Sequence, residues 1–169
     1  MTTKPGSTNP GRTAPTRTCK PAIGLMLTCW LAAACASGPY AAELLAEGGA
    51  KLNPTFDDKP SAVNIRILPL KDKEAFANAS IQDLRSDPPN LAPGTWAPPH
   101  KDEIVYVGQK NWIEVEVKPD VRFFGVYGLF NDETGNQRQI VSVDELAGKK
   151  LVLDGFQITL TERGTGDSK

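Results

Sequence analysis

The sequence is poor in the residues that most often carry chemistry. It has a single histidine, His100, and three cysteines in 169 residues. One imidazole leaves no spare for a Ser-His-Asp or Cys-His arrangement. It lies in Pro98-Pro99-His100-Lys101, a loop, where surface exposure is the expectation. Too few nitrogen and sulfur ligands remain for a zinc site. There is no phosphate- or dinucleotide-binding glycine pattern, and Gly164-Thr165-Gly166 is too short to serve as one. Basic residues number 19 against 20 acidic ones, which excludes a nucleic-acid binder that works through a cationic field. Carboxylates pair up at Asp57/Asp58, Asp72/Glu74 and Asp132/Glu133. Each pair sits in a turn or at a helix start, where acids have local backbone reasons to be. No enzyme activity, cofactor or metal is expected.

The charge is unevenly placed. Residues 1–34 contain Lys4, Arg12, Arg17 and Lys20 and no Asp or Glu, so the rest of the chain is net acidic. Residues 1–20 are polar, basic and rich in Thr, Pro and Gly. An uncharged stretch, Ala22 to Ala34, follows. A basic segment ahead of an apolar one is the order of a secretory signal. The apolar stretch is too short to cross a bilayer core, which takes roughly 20 residues.

That stretch ends in Leu31-Ala32-Ala33-Ala34-Cys35, which resembles the lipobox of bacterial lipoproteins. The resemblance implies cleavage before Cys35, lipidation of that cysteine by three acyl chains, and a signal peptide of residues 1–34. In the lipobox a Leu stands three places before the cysteine; here Ala32 does, with Leu31 one place earlier. Ala32-x-Ala34 also fits an ordinary signal-peptidase site, which would leave Cys35 a plain thiol. Cys19 and Cys29 depart with the leader on either reading, and a lone thiol in an oxidising compartment is a liability that acylation removes. One acyl chain anchors only marginally, whereas several hold a protein firmly. Ala36 occupies the place where an Asp signals inner-membrane retention, so the lipoprotein reading implies the outer membrane. Residues 35–40 read as the lipidated cysteine and a short tether.

Beyond the tether, Tyr40 to Lys51 admits two readings. It is a weak strand without β-branched residues, or a helix over Ala41–Glu47, whose Ala, Glu and Leu favour helix. Residues 52–61 hold two prolines and form a loop. Ala62–Leu68 predicts a strand, with Val63, Ile65 and Ile67 on one face and Asn64 and Arg66 on the other. Asp72 then caps a short helix with Ala75 and Phe76 inward, and Ser80 starts a second with Ile81 and Leu84 buried. Residues 86–102 are proline-rich loop anchored by Leu91 and Trp96. Six β-rich runs complete the domain: Glu103–Val107, Trp112–Val117, Arg122–Phe130, Arg138–Val143, Lys150–Leu153 and Phe156–Thr161. Asp154-Gly155 marks a hairpin between the last two. Seven to eight short strands over residues 41–163 predict an all-β sandwich with a small helical insertion. Residues 164–169 read as a disordered tail.

Several of these segments together resemble one family. They are Leu52-Asn53-Pro54, Lys59-Pro60-Ser61-Ala62-Val63 with its strand to Leu70, the stretch Leu70 to Ala79 with Ile81 and Leu84, and the run Phe123 to Phe130. The chain is similar to the TssJ family, the outer-membrane lipoproteins of the type VI secretion system. It departs from the family at Val107-Gly108, Asn131-Asp132 and Gln137-Arg138. The resemblance implies a transthyretin-like β-sandwich that tethers the secretion machine's membrane complex to the outer membrane. The implied partner is the periplasmic C-terminal region of the inner-membrane protein TssM. The implied partner-binding residues are those of the loop between the first two strands: Asn53, Pro54, Thr55, Phe56, Asp57, Asp58, Lys59 and Pro60.

Prolines limit the freedom of such a loop and so reduce the ordering cost of binding. Phe56 offers an aromatic anchor, and Asp57 and Asp58 could meet a basic patch. The plainer alternative is a solvated turn with Phe56 tucked into the core. For the whole chain the alternatives are a lipid-anchored module for a small ligand or cell-wall fragment, which needs an apolar pocket, and a hydrolase with an unidentified carboxylate pair.

Overall fold

The computed structural model describes residues 38–167. The leader, Cys35 and Ser168-Lys169 lie outside the described residues. The elements in order are β1 (Tyr40–Gly48), β2 (Val63–Leu70), α1 (Lys73–Asn78), α2 (Ile81–Arg85), β3 (Lys101–Val105), β4 (Lys110–Val117), β5 (Phe123–Leu129), β6 (Arg138–Ser142), β7 (Lys149–Asp154) and β8 (Gln157–Glu162), with one 3-10 turn at Val143–Glu145.

Eight strands form two four-stranded sheets, in the orders β4-β1-β7-β8 and β3-β2-β5-β6. Tyr40–Gly48 is a strand because it is central. It pairs antiparallel with β4 from Tyr40↔Val117 to Glu47↔Lys110, and parallel with β7 from Leu45↔Lys150 to Gly48↔Leu153. Two neighbours satisfy its backbone on both sides, and this tertiary pairing outweighs a helix propensity of a few tenths of a kcal/mol per residue. Leu44 and Ala46 enter the core between the sheets, where they join Val63, Ile65, Ile67, Ile113, Val115, Phe124, Val126 and Leu151. Along β4, Ile113, Val115 and Val117 are buried while Glu114 and Glu116 are exposed, the alternation expected of a half-wet strand.

A second apolar cluster lies between the outer face of β2 and β5 and the helical insertion: Leu68, Leu70, Phe76, Leu84 and Tyr127, with Leu91 and Trp96 packed against it. Asp72 caps α1 by accepting the Glu74 N–H, and Ser80 and Asp83 form a reciprocal capping box on α2. The insertion covers Arg66, so the face of β2 that alternation marks as polar is wet only at Asn64. Arg66 is 6% exposed and makes a bidentate pair with Asp102 (2.8 and 2.9 Å). Its Nη1 also donates to the carbonyls of Leu84, Arg85 and Ser86 at the end of α2. Arg138 does the same for α1, donating to the carbonyls of Phe76, Ala77 and Ala79.

Two expectations need correction. The His100 side chain is only 17% exposed, because the proline-rich loop folds it beside Trp96 and between Asp87 and Asp102 at 3.7 and 3.8 Å. The start of the expected disordered tail is instead a closed turn, with Asp167 N–H donating to the Gly164 carbonyl. The Asp167 carboxylate is buried against Lys110 of β4 and Lys150 of β7, and it accepts the Gly164 N–H.

The registers sort the loops to two ends. Tyr40, the Lys118–Asp120 turn and Lys71 lie at one end, where Lys71 pairs with Asp120. The β1–β2 loop, the β3–β4 turn, the β5–β6 loop and the β7–β8 turn lie at the other. Backbone bonds such as Gly108 N–H to Gly48 O and Asn53 N–H to Gly155 O join three of them. The nine residues of β1 separate the ends by about 26 Å.

Candidate partner-binding loop

The β1–β2 loop is a closed structure on a fixed stem. Leu52 is buried, and its carbonyl accepts the Ser61 N–H at 2.9 Å. The β7–β8 turn braces the stem: Asn53 N–H donates to Gly155 O at 2.7 Å and Gly155 N–H to Lys51 O at 3.0 Å. Asp154 Oδ1 accepts the Lys51 N–H at 2.9 Å.

Asn53 clamps the stem. It is 3% exposed, and its Nδ2 donates to Ser61 Oγ (3.1 Å) and Ala62 O (2.8 Å). Ser61 Oγ donates in turn to Asn53 O (2.6 Å), and Asn53 Oδ1 accepts the Asn131 N–H (2.8 Å) from the β5–β6 loop. Its backbone stands at φ +43°, a region that asparagine tolerates better than most residues. All its polar groups are engaged inward, so Asn53 supports the loop.

Above the stem the chain turns back on itself. Thr55 N–H donates to Lys59 O (2.9 Å), Asp58 N–H to Thr55 O (2.9 Å), and Lys59 N–H to Thr55 Oγ1 (3.3 Å). Asp58 takes φ +56° to close this turn. Among the described residues, Asn53 and Asp58 are the two non-glycine positions at positive φ, and both belong to this loop. Such backbone costs of order 1 kcal/mol each and collects where function requires a fixed shape.

The tip is wet. Thr55, Phe56, Asp57, Asp58, Lys59 and Pro60 are exposed, and Pro54 is half-buried. Phe56 is 103% exposed, so the reading that tucks its ring into the core does not hold. The structure therefore brings Thr55–Pro60 together as one presented surface and assigns Asn53 to the scaffold. Sequence reasoning did not find Asn131 and Gly155, which hold the loop. Both act through backbone groups, and nothing local in the sequence ties Asn131 or the Asp154-Gly155 turn to this loop.

Other sites offer less. A cleft of about 320 Å³ opens between β2–β3 and β4, floored by Ile67, Val115 and Phe124. Its rim lysines are engaged across it: Lys101 Nζ donates to Glu114 O and Lys118 Nζ to Pro98 O. Among the described residues no cluster of three or more His, Cys, Asp or Glu could hold a metal, and no helix is long and apolar enough to cross a membrane.

The family model of T6SS-SciN, the type VI secretion lipoproteins (VasD, EvfM, TssJ), matches residues 41–162. No curated protein matches the sequence. Among solved structures, the chain is similar to the T6SS lipoprotein TssJ1 from Pseudomonas aeruginosa, with a TM-score of 0.64 at 18% identity over 75% of this chain and 98% of that one. It is similar to Serratia marcescens Lip, a membrane-bound component of the type VI secretion system, at 0.63 and 15% identity over 72% and 97%. It also matches a chain in a structure of the T6SS protein TssM C-terminal domain (869–1107) from EAEC, at 0.59 and 21% identity over 73% and 98%. At these identities the structures establish the fold, an all-β sandwich of the transthyretin-like kind.

Proposed function

This chain belongs to the T6SS-SciN family of type VI secretion lipoproteins, and from that membership we propose that it ties the secretion machine's membrane complex to the outer membrane. Cys35 carries the lipid on the periplasmic face. The Thr55–Pro60 tip binds the periplasmic C-terminal region of TssM. The observation that carries this reading is the full exposure of Phe56 on a closed, braced loop. A large aromatic side chain held out in water has no folding role, and aromatic anchors of this kind dominate binding energies.

The layout of the strands supports the same reading. Tyr40 lies five residues after Cys35, so the anchor can stand no more than about 18 Å from that end of the sandwich. The loop is at the other end of β1, facing away from the membrane and toward a partner that reaches across the periplasm. A chain in a structure of the T6SS protein TssM C-terminal domain shares this fold. A similar match, at a TM-score of 0.61, is to a chain in a type VI membrane complex.

Two measurements on the full-length chain test the proposal. Fractionation of the producing bacterium should place the wild type in the outer membrane and release Cys35→Ser into the periplasm. Capture of the tagged wild type from detergent-solubilised membranes should bring down TssM encoded in the same bacterium. Recovery of Cys35→Ser in the membrane would contradict the anchor, and capture without TssM would contradict the tether.

A further inference from the structure

Among the described residues, five large apolar side chains are exposed: Tyr40 (51%), Phe56 (103%), Ile104 (48%), Tyr106 (49%) and Val107 (37%). Single exposed apolar residues are ordinary, whereas a group of them in one place marks a contact surface. Four of these five lie at the end of the sandwich that carries the β1–β2 loop. Three belong to β3 and the turn that joins it to β4, a segment outside Asn53–Pro60. We infer that the TssM-binding surface continues from the loop onto this hairpin, with Tyr106 and Val107 as a second apolar contact beside Phe56. This inference rests on the proposed function, because it names more of the same interface.

The hairpin is held rigidly against the loop. Gly108 N–H donates to Gly48 O at 2.8 Å and Gly48 N–H to Gln109 O at 2.9 Å, so the last residue of β1 is sewn to the turn. There is no space between them: a Cβ at Gly48 would lie 2.2 Å from the Tyr106 carbonyl oxygen and 3.1 Å from the Leu52 side chain. Leu52 opens the loop stem, so Tyr106 and the stem pack on the same glycine. Val105 pairs with Val63, the first residue of β2, which fixes the hairpin beside the loop's exit as well. On the other side, Asn111 Nδ2 holds the Ile104 carbonyl at 2.9 Å. Within the turn the Tyr106 carbonyl accepts the Gln109 N–H at 3.2 Å, while the residue is left half in water.

Such a surface fits a folded protein face with two features. One is a recess for the Phe56 ring with basic groups near it, opposite exposed Asp57 and Asp58. The other is a flat apolar strip for Tyr106 and Val107. Because both elements are anchored before binding, little ordering cost opposes association. Tyr40 supplies an internal control, since it is an exposed aromatic at the opposite end.

The test uses full-length protein in detergent and the periplasmic C-terminal region of TssM as the probe. Tyr106→Ala and Val107→Ser should each weaken binding, the first by about tenfold or more, with melting temperatures unchanged, while Tyr40→Ala binds as the wild type does. A photo-crosslinking benzoylphenylalanine at position 106 should couple to TssM, and one at position 40 should not; this readout stands even where a substitution perturbs folding. Wild-type affinity in Tyr106→Ala and Val107→Ser, with no crosslink from position 106 while Phe56→Ala is impaired, overturns the hairpin contact and leaves the loop reading intact. Failure of the wild type itself to bind overturns both.

Discussion

Asn53 and Asn131 are joined by one bond, Asn131 N–H to Asn53 Oδ1 at 2.8 Å, and through it the β1–β2 and β5–β6 loops form a single surface. Asn53→Ala removes this bond and the two that Nδ2 makes to Ser61 and Ala62. It also leaves an alanine at positive φ. The expected loss is about 1–3 kcal/mol, read as a lower urea midpoint at unchanged slope. Phe56→Ala, by contrast, should stay within about 0.5 kcal/mol of the wild type, because the ring touches little.

The two arginines under the helical insertion make a second prediction. Arg66 is nearly buried and serves both Asp102 and the end of α2. Arg66→Ala strands three carbonyls and breaks the pair, for an expected loss of about 3 kcal/mol. Local exchange of amide hydrogens in α2 and residues 86–90 should rise before that of β1 or β7.

Acid should weaken the fold through two aspartates. The Arg66 guanidinium holds the Asp102 carboxyl below its usual range, mainly by hydrogen bonding. Lys110, the Gly164 N–H and Lys150 hold Asp167 well below it. A carboxyl whose folded-state pKa is depressed stabilises fully above its unfolded value, near 3.9, and loses that contribution as pH falls through the lower folded value. Urea midpoints measured from pH 6 down to pH 2.5 should therefore be flat above about pH 5 and fall below pH 4. Asp167→Asn should fall less steeply than the wild type; an unchanged slope would mean that Asp167 does not share in the linkage.

Much of this architecture is legible in the chain, and the exceptions share one cause. Short-range signals read correctly: Asp72 and Ser80 as helix caps, Asp154-Gly155 as a hairpin, and the alternation along β4 all depend on residues within a few positions of each other. Tyr40–Gly48 could not be decided locally, because its strand character comes from β4 and β7, more than sixty positions away. Alternation places Arg66 with Asn64 on the face opposite the core residues of β2, and it is the insertion, distant in sequence, that covers it. Asp167 looked like tail until its two lysines met it from different strands. In the candidate site, the exposed tip was readable as a proline-bounded loop. The clamp role of Asn53 was not, since its partners lie 8, 9 and 78 residues on.

The most direct test of the central claim is the affinity of the detergent-solubilised full-length chain for the periplasmic C-terminal region of TssM, wild type against Phe56→Ala paired with Asp57→Lys. The account predicts wild-type binding that the double variant loses by about thirtyfold or more, with its circular dichroism and melting temperature unchanged. Equal binding by the two would contradict a tether made through the β1–β2 loop.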